Sequence, residues 1–259
     1  MDRKLRVLDL FSGIGGFSLG LERTSGFETI AFCEYEEFPR RVLKKHWPDV
    51  PCFPDVRTLK GDDIEGPPVD VICGGFPCQD ISTAGKQAGI GEGTRSGLWS
   101  EIVRLAGELR PSYIIVENVA NLLAGPSERR GGWFGRILGD LAECGYDAEW
   151  HNIPASALGA PHRRSRIWIV AYPMRSRRAR LVTREHLGEI GSWRWRGKED
   201  LQNLQPYGVG SNWPQPLIRR MDDGIPNRVD RLKALGNAVV PQIPEMIGRA
   251  ILAAEKEHL

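Results

Sequence analysis

The residue types that could do chemistry fall in short, ordered clusters. Asp9-Leu10-Phe11-Ser12-Gly13-Ile14-Gly15-Gly16 ends a strand-like run in three closely spaced glycines. Such a turn lets the backbone approach a ligand closely. Its spacing is neither the G-x-G-x-x-G of dinucleotide sites nor a triphosphate-binding G-x-x-x-x-G-K. Glu34 follows where nucleoside-binding folds place an acid on a ribose hydroxyl, and Asp55 follows where a third strand should end. A glycine loop and two acids suit an adenosine without a phosphate chain; ordinary turns and surface acids are the plainer alternative. Next comes Cys73-Gly74-Gly75-Phe76-Pro77-Cys78-Gln79. Cys73 belongs to an apolar strand and reads as core. Cys78 stands among polar neighbours after a turn, either as a nucleophilic thiolate or as an inert small hydrophobe. Glu117, in Glu117-Asn118-Val119, closes another apolar run, where desolvation raises a carboxyl pKa and makes it a proton donor. Arg164 and Arg166 are two apart in a strand-like segment, so both can converge on one anionic or polar group.

The elements that must carry these residues are legible as periodicity. Strands are expected at Leu5–Phe11, Glu28–Cys33, Val69–Cys73, Tyr113–Val116 and Arg166–Tyr172. Helical stripes run through Leu98, Ile102, Leu105 and Leu109, then Phe134, Ile137, Leu138 and Leu141, and finally Ile243, Ile247, Ala250, Ile251 and Ala254. Strands alternating with helices predict an α/β fold: a mainly parallel, doubly wound sheet with helices on both faces and a crevice at the strands' carboxyl ends. The alternation breaks near Pro173, and the chain to about Arg220 is rich in Arg, Gly, Trp and Pro. The expected organisation is a core over 1–172, a small inserted lobe over 173–220, and a segment over 221–259 that returns to the core.

Composition bounds the classes of function. At 259 residues, with 41% hydrophobic and 26% charged side chains, the chain can bury a core without disulfides. Five cysteines, with no C-x-x-C among them, suggest neither a disulfide framework nor a zinc site, and no His/Cys cluster suggests another metal. No run approaches the ~20 apolar residues of a membrane-spanning helix. Met1-Asp2-Arg3-Lys4 leads directly into a strand-like run, so a cytoplasmic protein away from membranes is expected. The net charge of +2 is uninformative, but between Arg163 and Arg196 ten arginines face two acids. That segment either follows a phosphate backbone or is a solvated face.

Taken in order, Asp9–Gly16, Gly74–Ser82, Glu117–Val119, Arg164–Arg166 and Gly236-Asn237-Ala238-Val239-Val240-Pro241 resemble the cytosine-C5 DNA methyltransferase family everywhere except about 173–220. The resemblance implies the class I methyltransferase fold and S-adenosylmethionine as methyl donor. It implies that Phe11, Ser12, Gly13, Gly16 and Pro77 surround that donor, with Glu34 on the ribose and Asp55 near the adenine amino group. Asn237 and Val239 would close the same pocket. It implies Cys78 as the nucleophile on cytosine C6, Glu117 at the N3 edge, and Arg164 with Arg166 orienting the base. The target base must leave the duplex, at a cost of a few kcal/mol. The glycine-rich stretch 79–97 is then either a closing loop or an idle one, with Gln79, Ser82 and Arg95 as DNA or loop contacts.

The 173–220 lobe would be the target-recognition region, with Arg175, Arg177 and Arg178 on DNA and Trp193, Trp195 and Trp213 either as its small core or as stacking residues. The chain departs from the family pattern at three places: His162 stands where Gln is frequent, Arg219–Leu235 is unlike the usual segment, and the lobe is short. The expected partner is double-stranded DNA, bound by a monomer, in a bacterial or phage modification setting. An RNA cytosine methyltransferase on the same scaffold and a non-catalytic DNA-binding homologue are the alternatives.

Overall fold

A computed structural model of the chain describes residues 3–77, 98–123, 132–158, 164–174 and 228–257. Cys78, Gln79, Ser82, Arg95, Arg175, Arg177 and Arg178, and the lobe beyond residue 174, lie outside the described residues.

Apolar side chains on both faces of each central strand dictate a layered structure. In β1 (Leu5–Leu10), Leu5 and Val7 point into one apolar layer and Leu8 and Leu10 into the other. The same division holds for β4 (Val71–Gly74), with Val71 and Cys73 against Ile72, and for β5 (Tyr113–Val119), with Tyr113 and Ile115 against Ile114 and Val116. Strands covered on both sides need helices on both sides.

The helices supply one stripe each. On the first face lie α3 (Trp99–Leu109), which buries Trp99, Ile102, Leu105 and Ala106, and α4 (Gly132–Glu143), which buries Trp133, Ile137 and Leu141. A hydrogen bond from Trp99 Nε1 to Asp140 Oδ2 at 2.9 Å ties these two helices together. On the second face lie α1 (Gly16–Glu22), with Phe17 and Leu21, and the C-terminal α6 (Gln242–Glu257), with Ile243, Ile247, Ile251 and Ala254. Spacings of three and four put each set on one side of its helix. The remaining elements are β2 (Phe27–Cys33), α2 (Glu37–His46), the two-residue β3 (Cys52–Phe53), β6 (Tyr146–Pro154), β7 (Ser165–Pro173) and α5 (Arg228–Asn237).

The seven strands are ordered β3-β2-β1-β4-β5-β7-β6. The first five are parallel and β7 runs antiparallel to both β5 and β6. The doubly wound α/β expectation therefore holds, with an antiparallel pair at one edge. A third strand ending before Asp55 is found as β3, but its residues and those of β6 show no strand period in the sequence, for physical reasons. β3 is too short for any period, and β6 is an edge strand whose central residues stay partly exposed, so it lacks a clean apolar alternation. The parallel order reverses at β1, whose neighbours β2 and β4 are reached by crossovers in opposite directions. That switch point opens the crevice of a doubly wound sheet at the carboxyl ends of its strands.

Candidate active site

The glycine loop between β1 and α1 is held at three points. Ser12 Oγ donates to the Asp9 carbonyl at 2.6 Å, and the backbone N–H of Ser12 donates to the Cys33 carbonyl at the end of β2. The Gly13 N–H donates to Glu34 Oε2 at 2.7 Å, while the Glu36 N–H donates to the other carboxylate oxygen at 2.7 Å. Inside α1, Ser18 Oγ donates to Asp9 Oδ2 at 2.7 Å across a fully buried space. Phe11, Gly13 and Gly15 all adopt left-handed backbone (φ 54°, 55° and 83°). For Phe11, which has a Cβ, that conformation costs on the order of 1 kcal/mol or more and persists only because the surrounding bonds impose it.

The returning C-terminal segment forms one wall of this loop. A Cβ on Gly16 would lie 2.7 Å from the Val239 carbonyl oxygen and 3.0 Å from Val239 Cβ, so only glycine admits the segment at that distance. A Cβ on Gly15 would lie 2.7 Å from the Trp47 ring, directly after α2. The cradle is thus tight where the chain closes on itself, while at Gly13 nothing stands within 4 Å of an added Cβ.

Acids line the rim. Burial pushes the Glu34 carboxyl above its ordinary value, against the pull of the Glu36 and Gly13 N–H groups. Asp55, beyond β3, is engaged by Arg57, whose guanidinium reaches it at 2.6 Å and holds its pKa below the usual carboxylate range. Tyr35, immediately after Glu34, is 72% exposed. No motif singles it out in the sequence, although an aromatic residue next to a candidate ribose-binding acid is a visible signal. An open ring there offers a flat face on which a purine can stack.

A second group of side chains stands where β4 and β5 end. Asn118 is buried; its Nδ2 donates to the Phe76 carbonyl at 3.1 Å and its Oδ1 accepts the Val119 N–H at 2.8 Å. A Cβ on Gly75 would lie 2.9 Å from Glu117 Oε2. The turn that runs through Phe76 and Pro77 toward position 78 is therefore docked on the Glu117–Asn118 pair. Glu117 is not terminal in its strand, as its place after an apolar run suggests. β5 continues to Val119 because antiparallel β7 pairs alongside it, with Glu117 opposite Trp168 and Val119 opposite Arg166. Arg166 Nε meets Glu117 Oε1 at 2.9 Å. Burial nevertheless raises the Glu117 pKa, with the charges of Arg166 and then Arg164 opposing. The result is a desolvated carboxyl fixed by a guanidinium, the arrangement of a proton donor or a donor-acceptor clamp.

Arg166 lies in β7 while Arg164 precedes it, so the expected pairing on one strand face does not extend to Arg164, and their contacts differ. Arg164 Nη1 donates to the Gly236 carbonyl at 2.5 Å and Nη2 to the Ala238 carbonyl at 3.0 Å. Asn237, between those residues, ends α5, and Val239 follows against Gly16. The structure thus brings Phe11, Ser12, Gly13, Gly16, Glu34 and Val239 around one loop, and sets Glu117 and Arg166 beside the turn through Phe76 and Pro77; Asn237 is exposed at the end of α5, two residues before Val239.

Asp9 opens the glycine motif, but residue type and spacing give it no role. It is fully buried on the α1 side of the sheet, beside Ser18 and opposite Cys73 in the ladder. Burial pushes its carboxyl up to about 7, against the Ser18 hydrogen bond. Cys73 is core, as expected, and burial drives its thiol far above the ordinary value.

A sheet of this strand order, with a glycine loop after its first strand and acids after the next two, defines the class I methyltransferase-like α/β fold. The solved structure of a prophage-encoded E. coli protein described as a DNA modification methyltransferase superposes with a TM-score of 0.54 at 29% identity, covering 66% of this chain and 47% of that one. A Spodoptera frugiperda DNMT2 mutant shares the fold, with a TM-score of 0.54 at 22% identity over 66% of this chain and 50% of that one.

Residues 5–189 match the model of the C-5 cytosine-specific DNA methylase family, and the chain belongs to that family. It is 35% identical over 180 residues to the type II methyltransferase M.Sau3AI of Staphylococcus aureus, a match covering 65% of this chain and 43% of that protein. It is 37% identical over 171 residues to the type II methyltransferase M2.BsuMI of Bacillus subtilis, covering 64% and 42%. The matched region spans less than half the length of either relative.

Proposed function

We propose that the chain is a DNA (cytosine-5-)-methyltransferase, moving a methyl group from S-adenosylmethionine to C5 of a cytosine flipped out of duplex DNA. One observation carries this reading: the turn leading to Cys78 is fastened to Asn118 and packed on Glu117, whose carboxyl is desolvated and paired with Arg166. The end of β4 and the last residues of β5 lie side by side, which favours reading Cys78 as the nucleophile and Glu117 as the acid.

The residues present suit the methyl donor. Glu34 and the glycine loop can hold its ribose and amino-acid portions, Tyr35 can stack on its adenine, and the wall at Val239 shapes the pocket. When bound, S-adenosylmethionine supplies an electrophilic methyl group. The Cys78 thiolate adds to cytosine C6, and Glu117 donates its proton at N3 as negative charge develops across the ring. Arg166 holds Glu117 and, with it, the base. C5 would then take the methyl group, with S-adenosylhomocysteine as the leaving group; a base removes the C5 proton, the thiolate departs and N3 gives its proton back to Glu117, restoring the neutral aromatic ring. Targets are read by the arginine-rich lobe over 173–220, through phosphate and guanine-edge contacts. The similarity to type II methyltransferases supports a modification setting for this activity.

The test incubates the protein, beside Cys78→Ala, with labelled S-adenosylmethionine and either duplex DNA of mixed sequence or RNA. Nucleoside analysis should find label in 5-methylcytosine from DNA with the wild type only. Label confined to RNA would transfer the reading to an RNA methyltransferase. Label undiminished by Cys78→Ala would remove the covalent mechanism.

A further inference from the structure

Two arginines two residues apart invite the same role, yet their partners divide them. Arg166 spends its Nε on Glu117. Arg164, just before β7, reaches 72 and 74 residues along the chain to the Gly236 and Ala238 carbonyls. Gly236 lies in the last turn of α5 (Arg228–Asn237), where carbonyls have no partner within the helix and a cation is favoured. A guanidinium suits this place because its planar fork can serve two acceptors at once, which an ammonium at the end of a flexible stem does less well.

What Arg164 holds is the segment that closes the glycine loop. One residue beyond Ala238, the Val239 carbonyl and side chain lie on Gly16, closer than any Cβ there would allow. Beyond that, a Cβ on Gly20 would lie 2.2 Å from the Pro241 carbonyl oxygen, so the approach continues along α1. A second tie, from α5 to the rim, joins Lys233 to Glu36 at 2.5 Å. Both of its partners are about half exposed, where ion pairs contribute little. Arg164 also lies close enough to Glu117 to lower its pKa. It therefore stands between the two halves of the site.

We infer that Arg164 is a positioning residue: it splints the 236–239 arm against the glycine loop and so sets affinity for the methyl donor, leaving Arg166 as the arginine that works on the base. The inference rests on the proposed function for the identity of the donor, but the splint itself does not. The experiment compares wild type, Arg164→Met, Arg164→Lys and Arg166→Met by equilibrium binding of S-adenosylmethionine and by hydrogen exchange of the ligand-free proteins. The amides to follow are those of Ala238, Ile243 and Glu245, which donate to Leu235, Val240 and Pro241.

Arg164→Met should raise the dissociation constant about tenfold or more, as expected for losing hydrogen bonds to a charged group, and should speed exchange at these amides. Arg164→Lys should fall between it and wild type, and Arg166→Met should bind the donor as wild type does. Should the Met variant fail to fold, the Lys variant carries the same comparison. Unchanged exchange overturns the splint. Faster exchange with unchanged donor affinity overturns its link to the pocket. If wild type itself binds no S-adenosylmethionine, the proposed function fails, and exchange alone still decides whether Arg164 holds the arm.

Discussion

At the scale of single residues, burial sets the chemistry. Glu117 keeps a raised pKa although a guanidinium sits 2.9 Å away, because desolvation outweighs the attraction. Glu117→Gln preserves volume but cannot give up a proton, so kcat should fall by about 10²–10⁴-fold while S-adenosylmethionine binds as before. A variant retaining wild-type kcat would deny Glu117 its role.

Asp9 offers a test of a different kind, since its folded-state value of about 7 stands above the ordinary 3.8. Between those values the folded chain retains a proton that the unfolded chain has released, so this group drains stability as pH rises through that window. Asp9→Asn keeps an acceptor for Ser18 and has no such proton to lose. Its Tm, relative to wild type, should rise from about pH 4 to about pH 7 and level off above, at about 2–4 °C per kcal/mol. A difference independent of pH would show that the Asp9 carboxyl does not titrate this way.

At the scale of elements, close approach distinguishes glycines that their sequence context does not. Gly20 in α1 and Gly107 in α3 both interrupt helices. A Cβ at Gly20 would meet the Pro241 carbonyl at 2.2 Å and Pro244 Cβ at 2.9 Å, whereas at Gly107 nothing lies within 4 Å. Gly20→Ala should therefore push α6 off α1 and cost about 1–3 kcal/mol. Gly107→Ala should gain about 0.5–1 kcal/mol from reduced backbone entropy in the unfolded chain. Denaturant melts of the two variants should move in opposite directions. Parallel movement would contradict the α1–α6 contact as described.

The same scale explains which elements the sequence makes readable. The stripes at Ile102 and Leu105, at Ile137 and Leu141, and at Ile247 and Ile251 announce helices because each lies on an apolar layer, and all are buried. β6 announces nothing because, among the described residues, its outer edge has no neighbouring strand and its central side chains remain partly wet.

At the scale of the whole molecule, ten arginines face two acids between Arg163 and Arg196, the segment in which affinity for a polyanion is to be tested. If the lobe binds duplex DNA through phosphates, log affinity should fall linearly with log salt. Replacing Arg175, Arg177 and Arg178 together by Gln should lessen that slope by about 0.9 for each phosphate no longer neutralised. An unchanged slope would remove these three from the DNA-binding surface.

Residue types and their order already carry the α/β class, the glycine loop, the acid at Glu34, the Pro77-Cys78 and Glu117-Asn118 pairs, and thereby the family. Those features are local: they depend on residue type, spacing and period, which survive without coordinates. It takes the assembled fold to show that β7 turns antiparallel and extends β5 past Glu117, and that Arg166 takes the carboxyl while Arg164 takes two carbonyls 72 and 74 residues away. It alone placed Val239 on Gly16 and enclosed Asp9. A side chain's partner and its desolvation arise from segments that meet only when the sheet is assembled. Two arginines two residues apart look alike in sequence until the folded chain gives each something different to hold.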